Sequence, residues 1–150
     1  MMLDALLQLS SAQAVTASAV STNTIDLSQA RDVGVGNDLY AVFGVDTTAT
    51  AAGSATVTFQ VVTSANSNLS SPTIIGSTDA IPKADLVAGR APISICLSPQ
   101  ALSSLPLGQR YLGVQYTVAT GPLTAGAFTA YITDTEVTGT KSYASGFTVA

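Results

Sequence analysis

Apolar and polar residues alternate with period two along most of this chain, the spacing of strands with one buried face. Residues 54–60 show it most cleanly: Ala55, Val57, Phe59 and Val61 fall on one side, Ser54, Thr56, Thr58 and Gln60 on the other. The same spacing predicts strands over 13–20, 24–27, 73–76 and 93–97. In 111–118, Leu112, Val114, Tyr116 and Val118 share a face, as do Phe128, Ala130 and Ile132 in 127–133. These last two segments read as a hairpin around 121–126. Residues 39–45 are apolar on both sides, as in a central or interfacial strand. Leu3, Leu6 and Leu7 have helical spacing over about two turns, too short to be stable alone.

Turn residues separate these runs. Gly and Asn in 33–38 tolerate positive φ, 64–72 is polar, and 79–92 holds two prolines and Gly89. Seven to nine short strands without a long helix predict an all-β, jelly-roll-type antiparallel sandwich. Its expected layout is a short N-terminal arm over 1–12, the sandwich over 13–134 and a C-terminal extension over 135–150.

Composition shifts the reading away from chemistry. The chain has 150 residues, no His, one Cys, 9% charged residues and a net charge of −4. Ala, Ser and Thr make up 60 positions. Soluble proteins carry roughly 25% charged residues, so part of this surface is expected to be covered by other copies or another protein. No Lys or Arg precedes Arg31 and none lies between Arg31 and Lys83; direct nucleic-acid binding is therefore not expected. No apolar run spans a membrane, and the N-terminus lacks the positive charge and long apolar core of a signal peptide.

Catalytic and cofactor chemistry finds little to work with, and no enzyme activity and no cofactor are expected. Cys96 has no His to activate it and reads as a small buried hydrophobe. Asp32 and Asp38 flank a Gly-rich turn without calcium-loop spacing. Gly34-Val35-Gly36 lacks the third glycine of a dinucleotide loop. Asp79 with Asp85, or Asp134 with Glu136, are the candidate carboxylate pairs; charged strand ends are the simpler explanation. Asn68-Leu69-Ser70 matches a glycosylation sequon and reads as a polar loop.

Four segments, taken together and in order, are more specific than their parts: 3–16 (LDALLQLSSAQAVT), 80–90 (AIPKADLVAGR), 108–116 (GQRYLGVQY) and 119–130 (ATGPLTAGAFTA). They resemble the cement, or capsid decoration, proteins of short-tailed bacteriophages of the Bordetella phage type. The resemblance runs from about Leu3 to Ile132. It implies a jelly-roll subunit on the outer surface of a virion head. That subunit would self-associate, as a dimer or trimer, and clamp copies of the major capsid protein. Contacts are then expected from Met2, Leu3, Leu6 and Leu7 of the arm, from Tyr143 and Phe147 of the tail, and from Tyr131. Arg90 and Arg110 would meet capsid carboxylates. The competing class is a carbohydrate- or receptor-binding β-sandwich, which would show exposed aromatics beside loop carboxylates.

Overall fold

A computed structural model describes residues 4–28, 38–98, 108–135 and 137. Among these residues ten strands are formed: β1 Gln8–Ala14, β2 Ala19–Val20, β3 Ile25–Asp26, β4 Leu39–Thr50, β5 Thr56–Ser64, β6 Thr73–Ser77, β7 Ile81–Pro82, β8 Ile93–Leu97, β9 Tyr111–Ala119 and β10 Ala125–Thr133. They build two antiparallel sheets. The first has the order β1-β10-β4-β8, the second β2-β9-β5-β6, with β3 also on β9 and β7 on β5. Counting β2 with β3 and β6 with β7 as interrupted strands leaves eight. Their order, 1-8-3-6 facing 2-7-4-5, is that of a jelly roll, two Greek keys folded over one another.

The period-two pattern fills the space between the sheets. Val57, Phe59 and Val61 of β5 meet Ala41, Phe43 and Val45 of β4, all buried. At the centre, Phe59 packs at 5.1 Å from Phe43 and 5.2 Å from Phe128, and Tyr116 stacks on Phe128 at 5.5 Å. Burying each such side chain contributes about 1.5–3 kcal/mol. Gly76 lies where this gap is narrow: a methyl group there would come within 2.8 Å of Ile95 Cγ2.

The structure corrects three expectations. The segments 111–118 and 127–133 do not pair as a hairpin. β9 joins β5 and β10 joins β4, so the two lie in opposite sheets. Each has one apolar face, and facing each other across the core buries both faces at once. The link crosses between sheets through Thr120 (φ 62) and Gly121 (φ 101). Buried Leu123 plugs the end, with its N–H donated to Thr16 O.

The two-turn helix at Leu3–Leu9 is instead one 3-10 turn, Ala5–Leu7, running straight into β1. Two leucines and an alanine cannot sustain a longer helix when Leu9 gains more by entering the sheet core, where it is fully buried. The first strand thus begins at Gln8, within the span 1–12 read as an N-terminal arm, and the turn before it serves as its lead-in.

Cys96 is exposed. In β8 the buried side belongs to Ile95 and Leu97, so strict alternation turns Cys96 outward with Ser94. The expected turn at 33–38 lies almost wholly outside the described residues.

Candidate interaction surface

Each sheet has an outer face and two lateral edges, and the residues singled out by sequence distribute among them. On the first sheet, one cross-strand row runs Gln8, Tyr131, Val42 and Ser94. Tyr131 is half-buried there, and burial raises its hydroxyl pKa. The 3-10 turn sits beside β10 at the same end. Asp4 caps it, accepting the Leu6 N–H at 2.9 Å. Leu7 packs against the core while Leu6 stands 82% exposed. The structure therefore brings Leu6, Leu7 and Tyr131 to one corner, with Leu6 the protruding member. Met2, Leu3, Tyr143 and Phe147 lie outside the described residues.

Arg110 and Arg90 are engaged within the chain. Arg110 grips Asp26 through two parallel bonds, Nε to Oδ1 at 2.6 Å and Nη2 to Oδ2 at 2.7 Å. Its guanidinium also lies 5.3 Å from the Tyr111 ring centre. The pair fastens short β3 to the start of β9. The Arg110 side-chain bond, helped by the Ser28 N–H, lowers the Asp26 pKa to about 2. Arg90 Nη1 donates to Asp85 O at 2.7 Å, holding the 83–91 loop. That loop is further fixed by Ala49 N–H to Leu86 O and Gly89 N–H to Val45 O. A shallow cleft beside it is lined by Ile81, Asp85, Arg90 and Ala91.

The second sheet carries a feature that sequence reasoning missed. Leu69, read as part of a polar loop, is buried against the outer face of this sheet. Its isobutyl group sits over Gly113, where any added methyl would overlap Leu69 Cδ1. Leu69 adopts φ 54, a left-handed backbone that costs a non-glycine residue about 1–2 kcal/mol. The loop holds it there with its own polar groups. Ser64 Oγ donates to Ser70 O at 2.6 Å, Asn66 Nδ2 to Ser70 Oγ at 2.9 Å, and Asn68 Oδ1 accepts the Ser70 N–H. The glycosylation-like triplet is thus spent on internal wiring. A glycine opposite a lone leucine in a polar loop was the available signal.

The two lateral edges differ. Along the β1 side, Asn23 donates its N–H to Leu9 O at 2.9 Å and its Nδ2 to Gln8 O at 3.3 Å. Gln13 Nε2 donates to Val20 O at 2.8 Å, while its Oε1 accepts from Ser10 Oγ and Thr22 N–H. Ser10 in turn accepts the Tyr116 hydroxyl at 2.8 Å. Burial pushes that phenol up to about 12, so it serves as a neutral structural donor. On the other side, among the described residues β6 pairs with β5 alone, with a register irregularity between Val61 and Val62.

Asp79 and Asp85 are both exposed, Asp134 is exposed, and Asp32 and Glu136 lie outside the described residues. Among the described residues no cluster of three His, Cys, Asp or Glu side chains is placed to hold a metal. Among the described residues no helix is long and apolar enough to cross a membrane.

A family model described as Bbp16 matches residues 9–132, from β1 almost to the end of β10. No curated protein matches the chain.

Proposed function

This chain belongs to the Bbp16 family, named like a Bordetella phage protein, and on that footing we propose that it is a structural virion subunit. Specifically, it is a cement protein that binds the outer surface of an icosahedral phage head and bridges neighbouring major capsid proteins. It acts without turnover. The observation that carries the reading is the family match over the whole sandwich, joined to a surface with few charges. Two of its cations, Arg90 and Arg110, are already committed inside the chain.

Such a subunit works by mass action. Binding only the assembled shell adds about 2.7 kcal/mol per site to that state when the free concentration is 100 times Kd. Symmetry repeats the gain across the head. Leu6, on the turn next to β10, is an exposed apolar contact point whose backbone the Asp4 cap helps to fix, which lowers the backbone ordering entropy lost on docking.

A glycan-binding sandwich asks for open aromatic faces beside loop carboxylates. Here Tyr111 lies under the Arg110 guanidinium and Tyr131 is half-buried. Purified protein incubated with undecorated heads and imaged by cryo-electron microscopy tests the proposal. Regular density on the outer surface is expected, and bare heads overturn it.

A further inference from the structure

A side chain on the outer face of a sheet is shut away from water only if something lies over it. Val42 is such a residue. Ala41 and Phe43 on either side of it belong to the core, so alternation turns Val42 to the outer face of the first sheet, and yet it is 0% exposed. Across the sheet it meets Tyr131 and Ser94. Two positions away along β4 lie Tyr40 and Gly44. The tyrosines wall off part of the valine, but Ser94 is small and exposed and Gly44 has no side chain. These neighbours leave Val42 open on its β8 side. The second sheet shows a complete seal. Val62, equally buried on that outer face, pairs with Gly113, and Leu69 sits over the glycine.

We propose that the cover over Val42 is the C-terminal segment 136–150 of the same chain, folded back across the outer face of the first sheet. Where this segment starts selects it. Thr133 ends β10 in the row Thr133, Tyr40, Cys96 of that face and is buried there. Its Oγ1 accepts the Thr135 N–H at 3.2 Å, so the chain leaves β10 bent toward the outer face, and Val137 is half-buried. Neither Tyr40 nor Cys96 in the same row is without a partner. The spans 29–37 and 99–107 each join a strand of one sheet to a strand of the other, and their length is used in crossing the end of the sandwich. The segment after β10 has no such crossing to make among the described strands. Its sequence fits the seat: along 143–149 in extended form, Tyr143, Phe147 and Val149 fall on one side and Ala144, Gly146 and Thr148 on the other. Large apolar groups of this kind are rarely left in water. The segment lies beyond the family match, which stops at 132, so the cover is an addition to the shared sandwich. Tyr143 and Phe147 then seal the subunit itself, and the outer face around Val42 is closed to any partner while the segment is down. The inference stands independently of the cement reading.

Nuclear Overhauser contacts of the Val42 methyl groups in the full chain test this directly, without any substitution. The expected result is contacts from the ring protons of Tyr143 or Phe147 to those methyls. The double variant Tyr143→Ala, Phe147→Ala should then shift the Val42 methyl resonances and leave those of Val57 and Val61 in the core unchanged. Absence of the ring contacts in the parent chain overturns the proposal, whatever the variant does. Contacts to Val42 from 29–37 or 99–107 in their place overturn it as well and identify a crossing loop as the cover. In a mixture of two isotopically distinct copies, contacts that appear only between copies assign the cover to a second molecule and overturn the fold-back within one chain.

Discussion

The two flanks of this sandwich solve the same problem in opposite ways. On the β1 flank, carbonyls that would face water are taken up by Asn23, and Gln13 ties β1 to the segment around Val20 and Thr22. Behind them the Ser10–Tyr116 bond runs into the aromatic core. On the β6 flank, Thr, Ile, Gly and Ser line an edge that no side chain covers by a hydrogen bond among the described residues, and a register irregularity breaks its pairing with β5. A sheet edge costs little to leave wet, since water satisfies its groups. Covering one flank with polar side chains therefore adds stability there that the other flank does not gain in the same way.

The sharpest way to break this division is to damage the covered flank. Gln13→Leu removes the partners of Ser10 Oγ, Thr22 N–H and Val20 O together. Unmade bonds at part-buried groups cost about 1–3 kcal/mol each. Denaturant unfolding should show a loss of roughly 2–4 kcal/mol, whereas a charge at Ile74 changes stability by less than about 0.5 kcal/mol. If both substitutions destabilise equally, the two flanks do not differ as described.

Gly113→Ala should act next. The added methyl expels Leu69 from its seat, and overpacking of this kind costs about 1–3 kcal/mol. Limited proteolysis should then cut within 65–71 faster than it does in the parent. Resistance equal to the parent's would show that Leu69 does not hold the loop.

Tyr116→Phe sharpens the picture on a smaller scale. The ring stays in the Phe43, Phe59 and Phe128 cluster, while the bond to Ser10 is lost. Ser10 keeps Gln13 as acceptor, so the cost should be near 1 kcal/mol. A neutral result would move the stabilising role of the flank entirely onto Gln13 and Asn23.

The sequence pattern made the layers legible and left the path between them hidden. Period two told which side of 54–60 or 111–118 faces the core, because burial is decided residue by residue. It could not tell that β9 and β10 lie in opposite sheets, since an apolar face is satisfied equally by a neighbour alongside or one opposite. Alternation also contained the correct placement of Cys96, but the residue's general preference for burial was followed instead of its position between Ile95 and Leu97. Of the exposed large apolar residues, Leu6 was visible as an apolar group outside any strand pattern. Ile74 was not, because its exposure follows from β6 being last in its sheet. Arg110 looked available for a partner because the sequence keeps Asp26 eighty-four positions away.

That ion pair gives the mildest effect and the most specific one. Asp26 and Arg110 are both well exposed, and pairs at such positions contribute little to stability and are screened by salt. The sign of their pH dependence is nonetheless fixed. The folded-state pKa of Asp26 is depressed from 3.8 to about 2. Its contribution is therefore fully present above pH 4, declines as pH falls between these values, and is gone below about 2. Asp26→Asn should be slightly less stable than the parent at pH 7, and the gap should close as acid titrations pass pH 2. Raising salt at pH 7 should narrow the same gap, since the carboxylate and guanidinium meet at the surface. A gap that persisted unchanged at pH 2 would mean that the Asp26 side chain acts through neutral hydrogen bonding, such as its acceptance of the Ser28 N–H, with no part for the charge.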